Sequence, residues 1–285
     1  MGKTILKLNA TLALVLFMSS AAFGEIKISV GDDVITNQRA ALAVEAGGQG
    51  YGPQSPRDID LQTGSNNRTF STAPEFGKMS LCDIHFHKNA EHRGGNFTTY
   101  AGNGDGRGYG TGFKYDGSLS DAELAPIEGL IGAHGQDSLQ SGDTIEIHFV
   151  YSTAKATIGP TLGTCLSEAI GNPQLRVEAV VAVLVNDGGE SLTDMARVET
   201  SNDLNQAPNL PDDLGAPVVY AGSTTGPAYN EKGSPFQVTW SVRPKTTKLN
   251  ISSVDAWLGD NPFGESFAHA VRNLGLNSDL LSEIN

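Results

Sequence analysis

Residues 83–87 read Asp83-Ile84-His85-Phe86-His87, a strict alternation of polar and apolar side chains. In a strand, that period of two places Asp83, His85 and His87 on one face and Ile84 and Phe86 on the other. A strand from Leu81 to His87 follows. Thr144 to Ser152 repeats the pattern, with Glu146, His148 and Val150 on one face and Ile145, Ile147 and Phe149 behind them. Leu175 to Val185, Val218 to Ala221 and Phe236 to Val242 are further strands, all rich in β-branched or aromatic residues. With 34 glycines and 13 prolines breaking the chain and little helical spacing, the sequence predicts a mainly β fold. The expected form is a single domain with a central twisted, largely antiparallel sheet and a few peripheral short helices. Helical spacing is convincing only in the tail, Ser266 to Leu281, where Phe267, Val271 and Leu274 fall toward one side. That tail is expected to cover an edge. The polar segment 200–216 reads as a surface loop, and no composition break marks a linker.

The chain begins with Lys3 and Lys7, continues through an apolar stretch from Ala10 to Met18 and reaches small residues ending at Gly24. This order is that of a secretory signal over 1–24, which leaves 25–285 as the working domain and a periplasmic or secreted location. No other stretch approaches the roughly 18 apolar residues of a membrane span. The formal charge of −13 disfavours nucleic acid and anionic membrane as partners, because both are bound through Lys and Arg. Only two cysteines occur, Cys82 and Cys165. An oxidising compartment favours a disulfide between them over two buried free thiols.

The chemistry lies in the histidines. His85 and His87, two strand positions apart, converge on one side, and His148 adds a third imidazole if the two strands are neighbours. Three histidines with a fourth position left for water are the ligand set of a catalytic zinc. His92 competes for the third place, but its parity is opposite, and Asn89 and Gly94-Gly95 suggest that the strand ends first. His148 is therefore preferred. Each ligand needs an acceptor for its other ring nitrogen. Asp83 and Glu146, each two residues before a histidine on the same face, are placed for that role. In 101–112 (AGNGDGRGYGTG), Asn103, Asp105 and Gly106 resemble the start of a calcium loop. The helices and closing Glu of an EF-hand are missing, so the stretch reads as a flexible loop.

These residues resemble the carbonic anhydrase superfamily. HFHKNAEH at 85–92, EIHFVYSTA at 146–154 and NPQLRVEA at 172–179 are most similar to the delta class. Several other stretches resemble the alpha class: Gln54-Ser55-Pro56-Arg57-Asp58-Ile59, Asn66-Asn67, Tyr220-Ala221-Gly222-Ser223-Thr224-Thr225 and Val238-Thr239-Trp240. The matches keep the family's order from 51 to 243. The resemblance implies Zn2+ on His85, His87 and His148, and reversible hydration of carbon dioxide to bicarbonate and a proton. It implies that Thr225 accepts a hydrogen bond from the attacking hydroxide and passes its own proton to a buried Glu91. His92 becomes a structural histidine bonded to Tyr220, and Val150, Val180, Thr224 and Trp240 become the wall of the substrate pocket.

Three departures accompany the resemblance. The Asn67-Arg68-Thr69 stretch holds no histidine where the alpha class has its proton shuttle, leaving His134 or buffer to substitute. Thr224 replaces a more apolar pocket residue, and Gly226 replaces a second threonine. Two other functions compete. A cupin-like iron or manganese oxygenase would use the same His-x-His with Glu91, but its glycine and proline framework is absent. A non-catalytic module would be expected to lack a metal histidine.

Overall fold

Five strands pair side by side in the order β1 (Ser80–Lys88), β4 (Thr144–Ser152), β5 (Leu175–Val185), β9 (Gln237–Val242) and β8 (Val218–Ser223), and β10 (Thr247–Asn250) also pairs with β5. The computed structural model describes residues 29–68, 70–132, 138–224 and 230–285. Two small two-stranded sheets complete the β structure, β2 (Thr99–Tyr100) with β3 (Phe113–Lys114) and β6 (Glu199–Ser201) with β7 (Leu204–Gln206). The latter is a hairpin within the surface segment expected as loop. The helices are α1 (Asp32–Ala46), the single turn α2 (Leu192–Met195) and α3 (Ile251–Gly259). The molecule is thus mainly β and a single domain. Its sheet is mixed: β1–β4, β4–β5 and β8–β9 are antiparallel, whereas β5–β9 and β10–β5 are parallel.

The strict alternation of β1 and β4 decides what each face buries. Ile84, Phe86, Ile145, Ile147, Phe149 and Val180 join Val254 and Trp257 of α3 in one core. Each such side chain stabilises the fold by roughly 1.5–3 kcal/mol when withdrawn from water. The opposite face carries the histidines with Val150, Val177, Ala179, Tyr220 and Trp240. α3 begins where the Asn250 side chain accepts a hydrogen bond from the Ser252 N–H at 3.0 Å, capping the first turn.

The tail departs from the expected helix. Ser266 to Leu281 is mostly extended, with one 3-10 turn at Ser278–Leu280. The His269 N–H donates to the Phe86 carbonyl at 2.8 Å and the Lys88 N–H to the His269 carbonyl at 3.0 Å. β1 lies at one end of the sheet order, so its free edge offers backbone groups that an extended chain satisfies and a helix could not. The tail does cover an edge, but as a strand-like strap.

The glycine loop 101–112 supports that strap. The Gly108 carbonyl accepts from the Val271 N–H at 3.0 Å, and Gln38 of α1 bridges the Gly106 carbonyl and the Asn273 amide. Gly104, at φ +58°, passes so close to the Tyr109 carbonyl that a β-carbon would sit 2.0 Å from it. Only glycine fits there. Asp105 Oδ1 is taken by the Arg107 and Tyr109 N–H groups, so this carboxylate closes its own turn.

Cys82 and Cys165 form a disulfide across a sequence separation of 83. In the chain-entropy account, closing a loop of that size stabilises the fold by about 4–5 kcal/mol. The double variant Cys82→Ala/Cys165→Ala is therefore expected to melt roughly 10 °C lower. Equal melting temperatures for variant and parent would contradict this.

Candidate metal centre

The β1–β4 register sets His85 directly opposite His148, and His87 opposite Glu146. The three rings meet, with centroids 5.3 Å apart for His85–His87, 5.1 Å for His85–His148 and 4.7 Å for His87–His148. His85 Nε2 and His148 Nδ1 approach to 3.3 Å.

The outward nitrogens are all engaged. His85 Nδ1 meets Asp83 Oδ2 at 2.7 Å, His87 Nδ1 meets the Ala270 carbonyl at 2.8 Å and His148 Nε2 meets Glu146 Oε1 at 2.8 Å. Each acceptor requires an N–H, which fixes the tautomer and leaves the inward nitrogen as a lone pair. The lone pairs of His85 Nε2 and His148 Nδ1, 3.3 Å apart, repel unless a cation lies between them. The donor set thus fits a divalent metal bound by two Nε2 atoms and one Nδ1.

Burial and mutual repulsion hold the His87 ring well below the usual histidine pKa. Burial is also the main reason that His148 falls to about 4, although Glu146 pulls the other way. Both rings are therefore neutral at neutral pH. For His85, burial favours the neutral ring, but the hydrogen bond and charge of Asp83 outweigh it and raise the pKa.

Glu146 is fully buried and accepts four donors. Oε1 takes His148 Nε2 and His92 Nδ1, and Oε2 takes the Glu91 and His92 backbone N–H groups at 2.8 and 3.0 Å. Burial opposes its charge, yet the two histidines hold it well below the usual carboxylate range. His92 stands among possible ligands with Glu146 and His148. However, both its nitrogens are spent, Nδ1 on Glu146 and Nε2 on the Tyr220 hydroxyl at 2.6 Å. Burial keeps that hydroxyl protonated, so it donates.

Glu91 Oε2 lies 3.7 Å from His87 Nε2, and its Oε1 accepts from the Arg272 N–H at 2.8 Å. Burial first, then the Glu146 charge, raises its pKa to about 7. A raised folded-state pKa gives stability that is present below pH 4.5 and lost as pH rises through about 7. In metal-free protein, Glu91→Gln should therefore gain stability relative to the parent between pH 5 and pH 8, by about 3 kcal/mol. Thermal melts of both at the two pH values check the sign. A difference that stays constant contradicts it.

Val150 shares the histidine face, and the Trp240 ring lies 5.0 Å from His148 and 4.8 Å from His92. Thr224 is buried nearby, its carbonyl accepting from Arg272 Nη1 at 3.2 Å. Val180 does not join them. It pairs with Ile147 and turns to the other core, while Ala179 pairs with His148. A slip of one residue along β5 reverses the face, and Val177, Ala179 and Val181 are the residues that front the histidines. Thr225, Gly226, Thr69, His134 and the signal segment 1–24 lie outside the described residues.

Sequence reasoning missed the strap. His269 stacks on His85, with centroids 5.0 Å apart and planes at 17°, and its Nε2 bonds Glu265 Oε2 at 2.8 Å. Ala270 supplies only a carbonyl, which no side-chain pattern could reveal. The Glu265–His269 spacing was the one available signal, and it lay in a segment read as helix.

Fold and site together define a β-sheet protein carrying a candidate metal-binding cluster of histidines. A family model described as Delta carbonic anhydrase matches residues 76–253, more than half of the chain. The chain belongs to the delta carbonic anhydrase family. Among solved structures it is similar to an alpha-carbonic anhydrase of Photobacterium profundum, at 15% identity and a TM-score of 0.27, over 86% of this chain and 95% of that one. It is also similar to a hyperthermostable carbonic anhydrase from an active hydrothermal vent chimney, at 17% identity and a TM-score of 0.25, over 78% and 87%. Likenesses this distant carry no weight for the chemistry. No curated protein matches the chain.

Proposed function

We propose that the protein is a zinc-dependent carbonic anhydrase that interconverts carbon dioxide and water with bicarbonate and a proton. One observation carries this reading: three neighbouring imidazoles have their outward nitrogens tied to Asp83, the Ala270 carbonyl and Glu146, which leaves the other nitrogen of each as a lone pair. When bound there, zinc supplies Lewis acidity that lowers the pKa of a water from 15.7 to about 7, a value known for carbonic anhydrases themselves.

The chain's own residues do the rest. His85, His87 and His148 would hold the ion, and Thr225 would orient the attacking oxygen by accepting a hydrogen bond from it while donating its own to Glu91. Arg272 fixes the Glu91 carboxylate through its N–H, leaving the other oxygen for that bond. Val150, Ala179 and Trp240 give an apolar wall suited to a linear nonpolar substrate. Family membership sets aside the cupin-like oxygenase, and the complete histidine set argues against a non-catalytic module. Export fits the disulfide and the signal over 1–24, so we place the working domain, 25–285, in the periplasm or outside the cell. Among the described residues, no helix is long and apolar enough to cross a membrane.

The test is stopped-flow hydration of carbon dioxide by the purified protein, with zinc content measured, before and after a chelator. Turnover that disappears on chelation and returns with zinc is expected. A zinc-loaded protein without turnover would overturn the assignment.

A further inference from the structure

Alternation along β1 holds from Asp83 onward and is broken just before it. Leu81 pairs with Tyr151 and Asp83 with Val150, so Cys82 is an extra residue with no counterpart on β4. A bulge of this kind turns two neighbouring side chains to the same face. Leu81 and Ile84, three residues apart, thus lie together in the core behind the sheet, whereas Cys82 packs with Val150 on the histidine face. Asp83 shares that face, where it meets His85. Had the strand run on regularly from Leu81, Asp83 would have turned to the opposite core. The bulge brings it into phase with the histidines.

Asp83 does little to hold itself there. Its Oδ2 meets His85 Nδ1 at 2.7 Å, but its Oδ1 is buried without a partner. Glu146, the acceptor for His148, is by contrast fixed by four donors. An unsatisfied buried oxygen costs free energy, so the aim of Asp83 comes from its backbone. That backbone is clamped at Cys82. The Cys82 side chain is joined to Cys165, and its carbonyl accepts from the Gly159 N–H at 3.4 Å and the Thr164 hydroxyl at 3.2 Å. Cys165 ends a 3-10 turn, Leu162–Cys165, and its carbonyl accepts from the Ser152 hydroxyl of β4 at 2.6 Å. The disulfide therefore ties the bulge of β1 to the end of β4.

We infer that the Cys82–Cys165 disulfide, by holding this bulge, positions Asp83 against His85 and so sets how tightly the histidine cluster binds its metal. The inference rests on the proposed metal centre and adds what aims one of its three acceptors.

A disulfide that only stabilises the fold makes a different prediction. Well below the melting transition, its loss leaves zinc affinity unchanged, or lowers it whatever residue stands at position 83. A positioning clamp acts through Asp83 alone. Zinc affinity by chelator competition is compared for the parent, Asp83→Ala, Cys82→Ala/Cys165→Ala and the triple variant. The double variant should bind zinc about 10-fold more weakly than the parent, the lower end of the range for loss of a ligand's hydrogen-bonding partner. The triple variant should bind no more weakly than Asp83→Ala. Metal-free protein gives an independent arm: the proton NMR signal of the His85 Nδ1–H, held by Asp83, should shift or broaden when the disulfide is removed, while that of the His148 Nε2–H, held by Glu146, stays in place. If the double alanine variant does not fold, Cys82→Val/Cys165→Ala, which fills part of the space left by the sulfurs, replaces it in both arms. Parental zinc affinity in the folded variant, additive losses in the triple variant or an unmoved His85 signal overturns the positioning role. A parent that binds no zinc, yet shows the His85 shift when the disulfide is removed, upholds the clamp on Asp83 and overturns the metal centre, which separates the two failures.

Discussion

Substituting His148 by alanine should remove metal and turnover together. In the proposed centre its ring supplies the third nitrogen, and His92, the competing histidine, has both nitrogens committed. Loss of an outer hydrogen-bonding partner typically weakens metal binding 10–100-fold, and loss of a ligand should exceed that. We therefore expect His148→Ala to bind zinc more than 100-fold more weakly and to hydrate carbon dioxide only at background rate when zinc is stoichiometric. His92→Ala is the contrast. It disturbs the Tyr220 and Glu146 bonds and lowers stability, but should still bind zinc. The check is zinc content after dialysis against a metal buffer, with stopped-flow hydration on the same samples. Full zinc and activity in His148→Ala, with both lost in His92→Ala, would mean that the third ligand had been misassigned.

The fold was legible where residue alternation and burial agree. Thr144 to Ser152 and Leu175 to Val185 are strands with the very limits that their composition suggests, because both run through the middle of the sheet and are buried from end to end. α1 was missed because its buried residues, Ile35, Gln38, Leu42 and Ala46, form a narrow stripe interrupted by a glutamine. That glutamine is there for tertiary reasons: its amide links the glycine loop to the strap. The tail failed in the opposite sense. Phe267, Val271 and Leu274 have helical spacing, but the open edge of β1 competes for the same backbone and wins, since its N–H and C=O groups need partners.

The site divides along the same line. Side chains on regular strands could be placed from parity alone, which is how His85, His87, His148, Asp83 and Glu146 fall together. Groups delivered by irregular chain could not. The Ala270 carbonyl, the Arg272 N–H and the His269 ring all arrive on the strap, whose path depends on the distant glycine loop through the Val271–Gly108 bond. Val180 shows the limit of carrying positions over by resemblance, because a strand tolerates no error of one residue in assigning a face.

Loss of Glu146 should cost heavily in stability. Its carboxylate is wholly buried and takes two imidazole N–H groups on one oxygen and two backbone N–H groups on the other. Glu146→Ala leaves these four donors in a dry interior. Breaking a buried, hydrogen-bonded charge of this kind costs about 3–5 kcal/mol, which urea or thermal unfolding will register. Glu146→Gln is the sharper probe, because glutamine has nearly the same shape but only one acceptor oxygen. If that oxygen faces the rings, the amide N–H2 points at the Glu91 and His92 N–H groups, donor against donor. If it turns around, His148 Nε2 meets a donor and must become the acceptor, which moves the proton to Nδ1 and blocks the lone pair directed at the metal. Neither orientation satisfies both sides, so Glu146→Gln should weaken zinc binding about 10–100-fold without the large cavity of the alanine variant. Zinc affinity measured by competition with a chelator decides it. Parental affinity in Glu146→Gln would mean that the carboxylate does not set the His148 tautomer, and the inward-facing lone pair would then need another cause.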